Sequence, residues 1–133
     1  NAKWLMFQTG CNDASYEHKP ENYSVKPEKF RENLEKIIKK AKKITKNIIF
    51  TDLKNCDESK TKPVSWIDIY CTNENIKKYS EIMKEMCHKH EVLFLDIEDL
   101  DDKDFEDGLH PNANGQEKIF IQAKDFLIKN KWI

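Results

Sequence analysis

Three short apolar runs, "WLMF" at residues 4–7, "NIIFTD" at 47–52 and "EVLFLDI" at 91–97, are separated by long segments whose apolar residues recur every three or four positions. That alternation limits the possible folds more than any other feature. Strands that are apolar on both sides belong in a sheet covered on both faces, and a helix between successive strands makes them parallel through right-handed crossovers. The expected fold class is therefore α/β: a three-layer, flavodoxin-like parallel sheet with helices on both faces.

The intervening segments carry strong helical patterns. From Pro27 to about Thr45, Phe30, Leu34, Ile37, Ile38, Ala41 and Ile44 form one stripe, and Pro27 suits a first helical turn. A second helix is expected from Glu74 to Lys89 with Ile76, Tyr79, Ile82, Met83, Met86 and Cys87 inward, and a last one from Gln116 to Ile128 with Ile119, Phe120, Ala123, Phe126 and Leu127. Residues 53–73 read as a long polar loop, yet "VSWIDIYC" within it is too apolar for a solvated linker and should fold back over the body. Trp66 and Tyr70 leave two readings open, walls of an acyl or alcohol pocket or cover for the helix beneath. "DLDDKDFED" reads as a solvated acidic connector, since it lacks the glycine and closing glutamate of a calcium loop.

A length of 133 residues suits a single domain, 1–133, with a real core. With 23 Lys+Arg against 24 Asp+Glu the net charge is -1, so no polycationic face for nucleic acid is implied. The apolar runs are far shorter than the roughly 20 residues that span a bilayer. "NAKWLMFQ" reads as a strand rather than a targeting segment, and the expectation is a soluble, cytoplasmic chain. Cys11, Cys56, Cys71 and Cys87 are widely spaced with no CxxC pair, which favours free thiols. "CHKH" at 87–90 lacks a second pair of ligands and places Cys87 on an apolar stripe, so no metal is expected. "TGCND" has one glycine, too few for a phosphate-cradling turn.

In open parallel sheets, sites gather in the loops leaving the carboxyl ends of the strands. Here those loops are "TGCNDAS", the 53–73 segment, and "DIEDL" through "DGLHPN". They carry an amide able to donate to an oxyanion, Asn12, and a carboxylate three residues before a histidine, Asp107 and His110. A histidine that takes a proton through one ring nitrogen needs the other fixed as a donor, and Asp107 can do this locally. Gly108 permits backbone conformations closed to other residues, and Pro111 stiffens the chain after the histidine. Taken alone, D-x-x-H favours a loop whose Asp and Asn cap backbone groups beside an exposed His110.

Together, "TGCNDAS" at the end of a strand and "DGLHPNANGQEKI" before a terminal helix resemble the C-terminal part of the SGNH (GDSL-type) hydrolase family. Within it, "GCNDA", "PENYSVKPEKFRENLEKII" and "DGLH" are most similar to the isoamyl-acetate-hydrolysing esterase type. The resemblance implies a carboxylic ester hydrolase of small-molecule esters using no metal or organic cofactor. It assigns Asn12 and Gly10 to the oxyanion hole, and Asp107 and His110 to the acid and base of a Ser-His-Asp triad. The family's G-D-S nucleophile block and a second glycine block have no counterpart: Gly10, Gly108 and Gly115 are the only glycines. Ser15, Ser24, Ser59, Ser65 and Ser80 lack the strand-to-helix setting of a nucleophile. The chain is therefore expected to lack the family's first two strands, to draw its nucleophile from elsewhere and to be inactive alone. Its first strand would be an open edge prone to self-association. The alternative is a catalytically inert α/β module that binds partners through that edge.

Overall fold

The computed structural model describes residues 2–19 and 21–133. Three strands, β1 (Leu5–Phe7), β2 (Ile48–Thr51) and β3 (Leu93–Leu95), pair in parallel in the order β1-β2-β3. Phe7 lies beside Phe50, and Phe50 beside Phe94, so side chains alternate in register between the two faces. The central strand β2 is wholly buried, whereas β1 and β3, the two edges, are half-buried. The parallel sheet follows the pattern of apolar runs, although "WLMF" yields three strand residues and a half-exposed Trp4 rather than a fully buried strand.

Helices α1 (Pro27–Ala41) and α3 (Asn73–Lys89) cover one face. Phe30, Leu34 and Ile38 of α1 meet Tyr79, Met83 and Met86 of α3 over Ile48 and Phe50 of the sheet. Pro27 begins α1 as expected, but the helix stops at Ala41 and Ile44 is exposed in the turn beyond it. That turn is tied down, for Thr45 Oγ1 and Asn47 Nδ2 both donate to the Lys3 carbonyl and fix the entry to β1.

The last helix, α4 (Ala113–Lys129), packs alone on the opposite face, where Leu127 meets Ile49 and Leu95. It starts three residues earlier than the periodicity indicates, because the Asn112 side chain accepts from Gly115 N at 3.1 Å and caps it. Phe120, expected to face inward, is 62% exposed. Helices thus lie on both faces, as a three-layer α/β fold requires.

Two regions read as irregular are ordered. Within 53–73, Asp57 caps a four-residue helix, α2 (Glu58–Thr61), by accepting from Ser59 N. The acidic connector contains a 3₁₀ turn, Asp102–Asp104, with Asp101 and Asp104 forming a reciprocal capping box. Asp104 is 1% exposed rather than solvated, and Lys118 of α4 pairs with it at 2.6 Å. A buried carboxylate needs such a partner, and the ammonium holds its pKa below the ordinary value.

Candidate active site

Residues 105–111 form a closed loop over the carboxyl edge of the sheet. Phe105 and Pro111 bridge across its base, and Glu106 N donates to the His110 carbonyl at 2.8 Å. Gly108 at the tip has φ +88°, and a Cβ there would lie 2.8 Å from Lys60 Cβ, so glycine is needed for both conformation and space. Its carbonyl accepts from Asp57 N at 2.8 Å, docking the tip on the segment that follows β2. At the far end, Gly115 presses α4 against the Asp104 carbonyl, leaving no room for a side chain.

This loop brings Asp107 and His110 together. Asp107 Oδ2 lies 2.7 Å from His110 Nδ1, while Oδ1 accepts from the backbone N–H groups of Leu109 at 2.9 Å and His110 at 2.8 Å. Burial opposes ionisation of Asp107. The hydrogen bonds from the His110 backbone, the His110 ring and Leu109 outweigh it and bring the pKa down to about 2. The carboxylate is thus charged across the ordinary pH range and holds the ring as an Nδ1 donor, which turns Nε2 away as an acceptor. The His110 side chain is 68% exposed, open to an incoming group.

Gly10 and Asn12 occupy the turn after β1. Gly10 has φ +114° and is buried, with a would-be Cβ 3.0 Å from Phe30 and 3.3 Å from Leu53. The Asn12 carbonyl accepts Ser15 Oγ at 2.7 Å and Ser15 N at 3.3 Å, so its backbone is fixed while its carboxamide is exposed. A cleft of about 280 Å³ beside it is lined by residues 8–13 with Asp52, Leu53 and Lys54. Asn12 and the Asp107–His110 pair therefore both lie in loops that follow strands of the sheet, but among the described residues no hydrogen bond joins them.

Ser15 is 2% exposed and bonded to Asn12 and Ser24, and the Ser59 hydroxyl is committed to Asp57 Oδ1 at 2.6 Å. Among the described residues no serine hydroxyl bonds to His110. Trp66 lies over His110, ring centroids 6.0 Å apart and planes inclined by 28°. Tyr70 instead stacks on Tyr16 at 5.2 Å and serves to anchor the loop. The sequence left Trp66 open between a pocket wall and a cover for the helix beneath, and the tertiary path of the loop sets it beside His110.

The four cysteines are unbonded thiols, and burial pushes Cys71 and Cys87 up to about 12. Cys87 faces the core, His88 is exposed, and the His90 ring turns inward toward Glu35 rather than outward. Among the described residues no group of three or more His, Cys, Asp or Glu is placed to hold a metal ion. Nor is any described helix long and apolar enough to cross a membrane.

The chain is thus a parallel α/β sheet with a carboxylate–imidazole pair and an exposed amide in the loops that follow its strands. The chain matches the GDSL-like lipase/acylhydrolase family over residues 1–118, and it belongs to that family. A multidomain esterase of Ruminococcus flavefaciens is 40% identical over 53 residues, which span 36% of this chain and 7% of that protein. Among solved structures, a lipase/acylhydrolase of Enterococcus faecalis superposes with TM-score 0.75 at 20% identity, covering 94% of this chain and 60% of its own. A GDSL-like lipase of Bacteroides thetaiotaomicron gives 0.71 at 17% identity, covering 96% and 62%. An acetylxylan esterase of Geobacillus stearothermophilus gives 0.65 at 18%, covering 94% and 57%. The chain thus spans about three fifths of the structures it resembles, and the likeness concerns the fold.

Proposed function

We propose that these residues form the acid–base and oxyanion part of a serine ester hydrolase. His110 acts as general base toward a serine hydroxyl and then as general acid toward the leaving alcohol. Asp107 orients the imidazole and stabilises the imidazolium formed in each step, and the Asn12 carboxamide with the Gly10 turn stabilises the oxyanion. The observation that carries this reading is the 2.7 Å contact between Asp107 Oδ2 and His110 Nδ1. It is made by a carboxylate whose other oxygen is already saturated by two backbone donors.

The nucleophile lies on a segment outside these 133 residues. Support comes from the serines themselves, none of which engages His110, and from the longer chains of the structural neighbours. Two surfaces could receive that segment: the β1 edge, and the outer face of α4, where Phe120, Ile121 and Ile128 are exposed. The reaction is two-step acyl transfer, in which the serine oxygen bonds to the acyl carbon as the alcohol leaves, and water then releases the acid. Small esters, including acetylated sugars of the kind named for one structural neighbour, are the substrate class to test.

A fluorophosphonate probe applied to the longest natural product that contains these residues tests the assignment. The expected label is on a serine other than Ser15, Ser24, Ser59, Ser65 or Ser80, and it is lost in His110→Ala. A label on any of these five, or one indifferent to His110, would overturn the reading.

A further inference from the structure

Trp66 is a large apolar side chain held 54% exposed, a placement that solvent alone does not favour. Its loop is built to keep it there. Cys71 N donates to the Thr61 carbonyl at 3.0 Å, Val64 N to Ile69 O at 2.8 Å, and Ile69 N to Ile67 O at 2.8 Å. Val64 is buried at the root of the loop. Tyr70 and Tyr16 exchange two backbone hydrogen bonds at 2.8 and 3.0 Å beneath their stacked rings. None of these contacts involves His110. The backbone that carries Trp66 is therefore fixed independently of His110, and the indole presents its face to the imidazole from that loop.

His110 has little else to hold it. Asp107 binds Nδ1 in the ring plane, which fixes one in-plane direction but leaves the ring free to swing about that bond. A flat aromatic surface 6.0 Å away and inclined by only 28° restricts that out-of-plane motion. Its π face also favours the imidazolium that a general base becomes during the reaction. We propose that Trp66 is a positioning residue for His110, clamping the imidazole face so that the Asp107 bond persists and Nε2 points outward. This rests on the acid–base reading of His110, and it adds a third member from the 53–73 segment to the pair.

The test needs no serine and uses the 133-residue chain. The long-range proton–nitrogen NMR spectrum of neutral His110 reports its tautomer, and water exchange reports the lifetime of the Nδ1–H bond. In the wild type a single Nδ1–H tautomer is expected. In Trp66→Ala the Nδ1 proton should exchange roughly two- to fivefold faster, the range set by an exposed π contact, and Trp66→Phe should restore most of the protection. Amide signals outside residues 61–71 and the facing 105–111 loop should stay in place. Unchanged exchange in Trp66→Ala, or no rescue by phenylalanine, overturns the proposal; so does general unfolding of Trp66→Ala, which would make the indole structural. Mixed tautomers already present in the wild type would instead overturn the Asp107–His110 assignment itself.

Discussion

The two faces of the sheet are covered to different degrees. Beneath α1 and α3, Leu34, Ile38, Ile48, Phe50, Tyr79 and Met83 are each almost completely buried in one continuous cluster. Beneath α4 the fully buried set shrinks to Ile49, Leu95 and Leu127, flanked by half-exposed Met6, Phe126 and Trp132, with Phe120, Ile121 and Ile128 facing outward. The first face supplies the cohesion that positions the sheet's carboxyl edge. The second is less completely covered, and it adjoins the edge strand β1, since Trp4 just before β1 meets Trp132 after α4 in a tilted pair with ring centroids 6.4 Å apart. Burial is concentrated on one face of the sheet, and mutation can distinguish the two.

The largest effect is expected on the covered face. Phe50→Ala removes a fully buried ring and should cost about 3–5 kcal/mol by denaturant unfolding. A loss below about 1 kcal/mol would show that this face is not the source of stability. At the site, Gly108→Ala places a methyl 2.8 Å from Lys60 Cβ in a left-handed backbone position. It should cost about 1–3 kcal/mol and loosen the His110 loop, measured as accelerated amide exchange at Leu109 and His110.

Asp107 gives the comparison a pH axis. Its folded pKa of about 2 lies below the unfolded value of about 3.9, so it stabilises the fold above the unfolded value, and this contribution is lost as pH falls through 2. Asp107→Asn should therefore be less stable than wild type near neutrality by at most roughly 2 kcal/mol, reduced because the carboxylate is partly solvated. The gap between the two should close as pH falls from about 4 to 2. A gap that persists at low pH would assign the effect to packing. The smallest effect is expected on the uncovered face, where Phe120→Ser should change stability by no more than about 0.5 kcal/mol. A change as large as that of Phe50→Ala would erase the distinction between the faces.

The strands and long helices were legible because burial on both sides of a strand and on one side of a helix leaves patterns of different period. Asp107 and His110 were legible because a three-residue spacing within a turn brings them together locally. Helix α2 left no such pattern: four residues are too few for a period, and its signal is the Asp57 cap with Ser59 two residues on. Asp104 read as solvated because burial of a carboxylate depends on Lys118, fourteen residues away. The start of α4 was hidden because "PNANG" has loop composition, although its Asn112 is a cap. The Trp66–His110 contact joins residues forty-four positions apart across two loops, and no local spacing encodes it.

Hydrolysis of p-nitrophenyl acetate by the 133-residue chain, measured beside its His110→Ala variant, tests most directly the claim that this chain supplies acid, base and oxyanion donor but no nucleophile. The account predicts rates that are equal for the two proteins and no more than about ten-thousandfold above water, the residue left when a triad lacks its serine. Turnover well above that level and abolished by His110→Ala would contradict it, because the nucleophile would then lie within these residues.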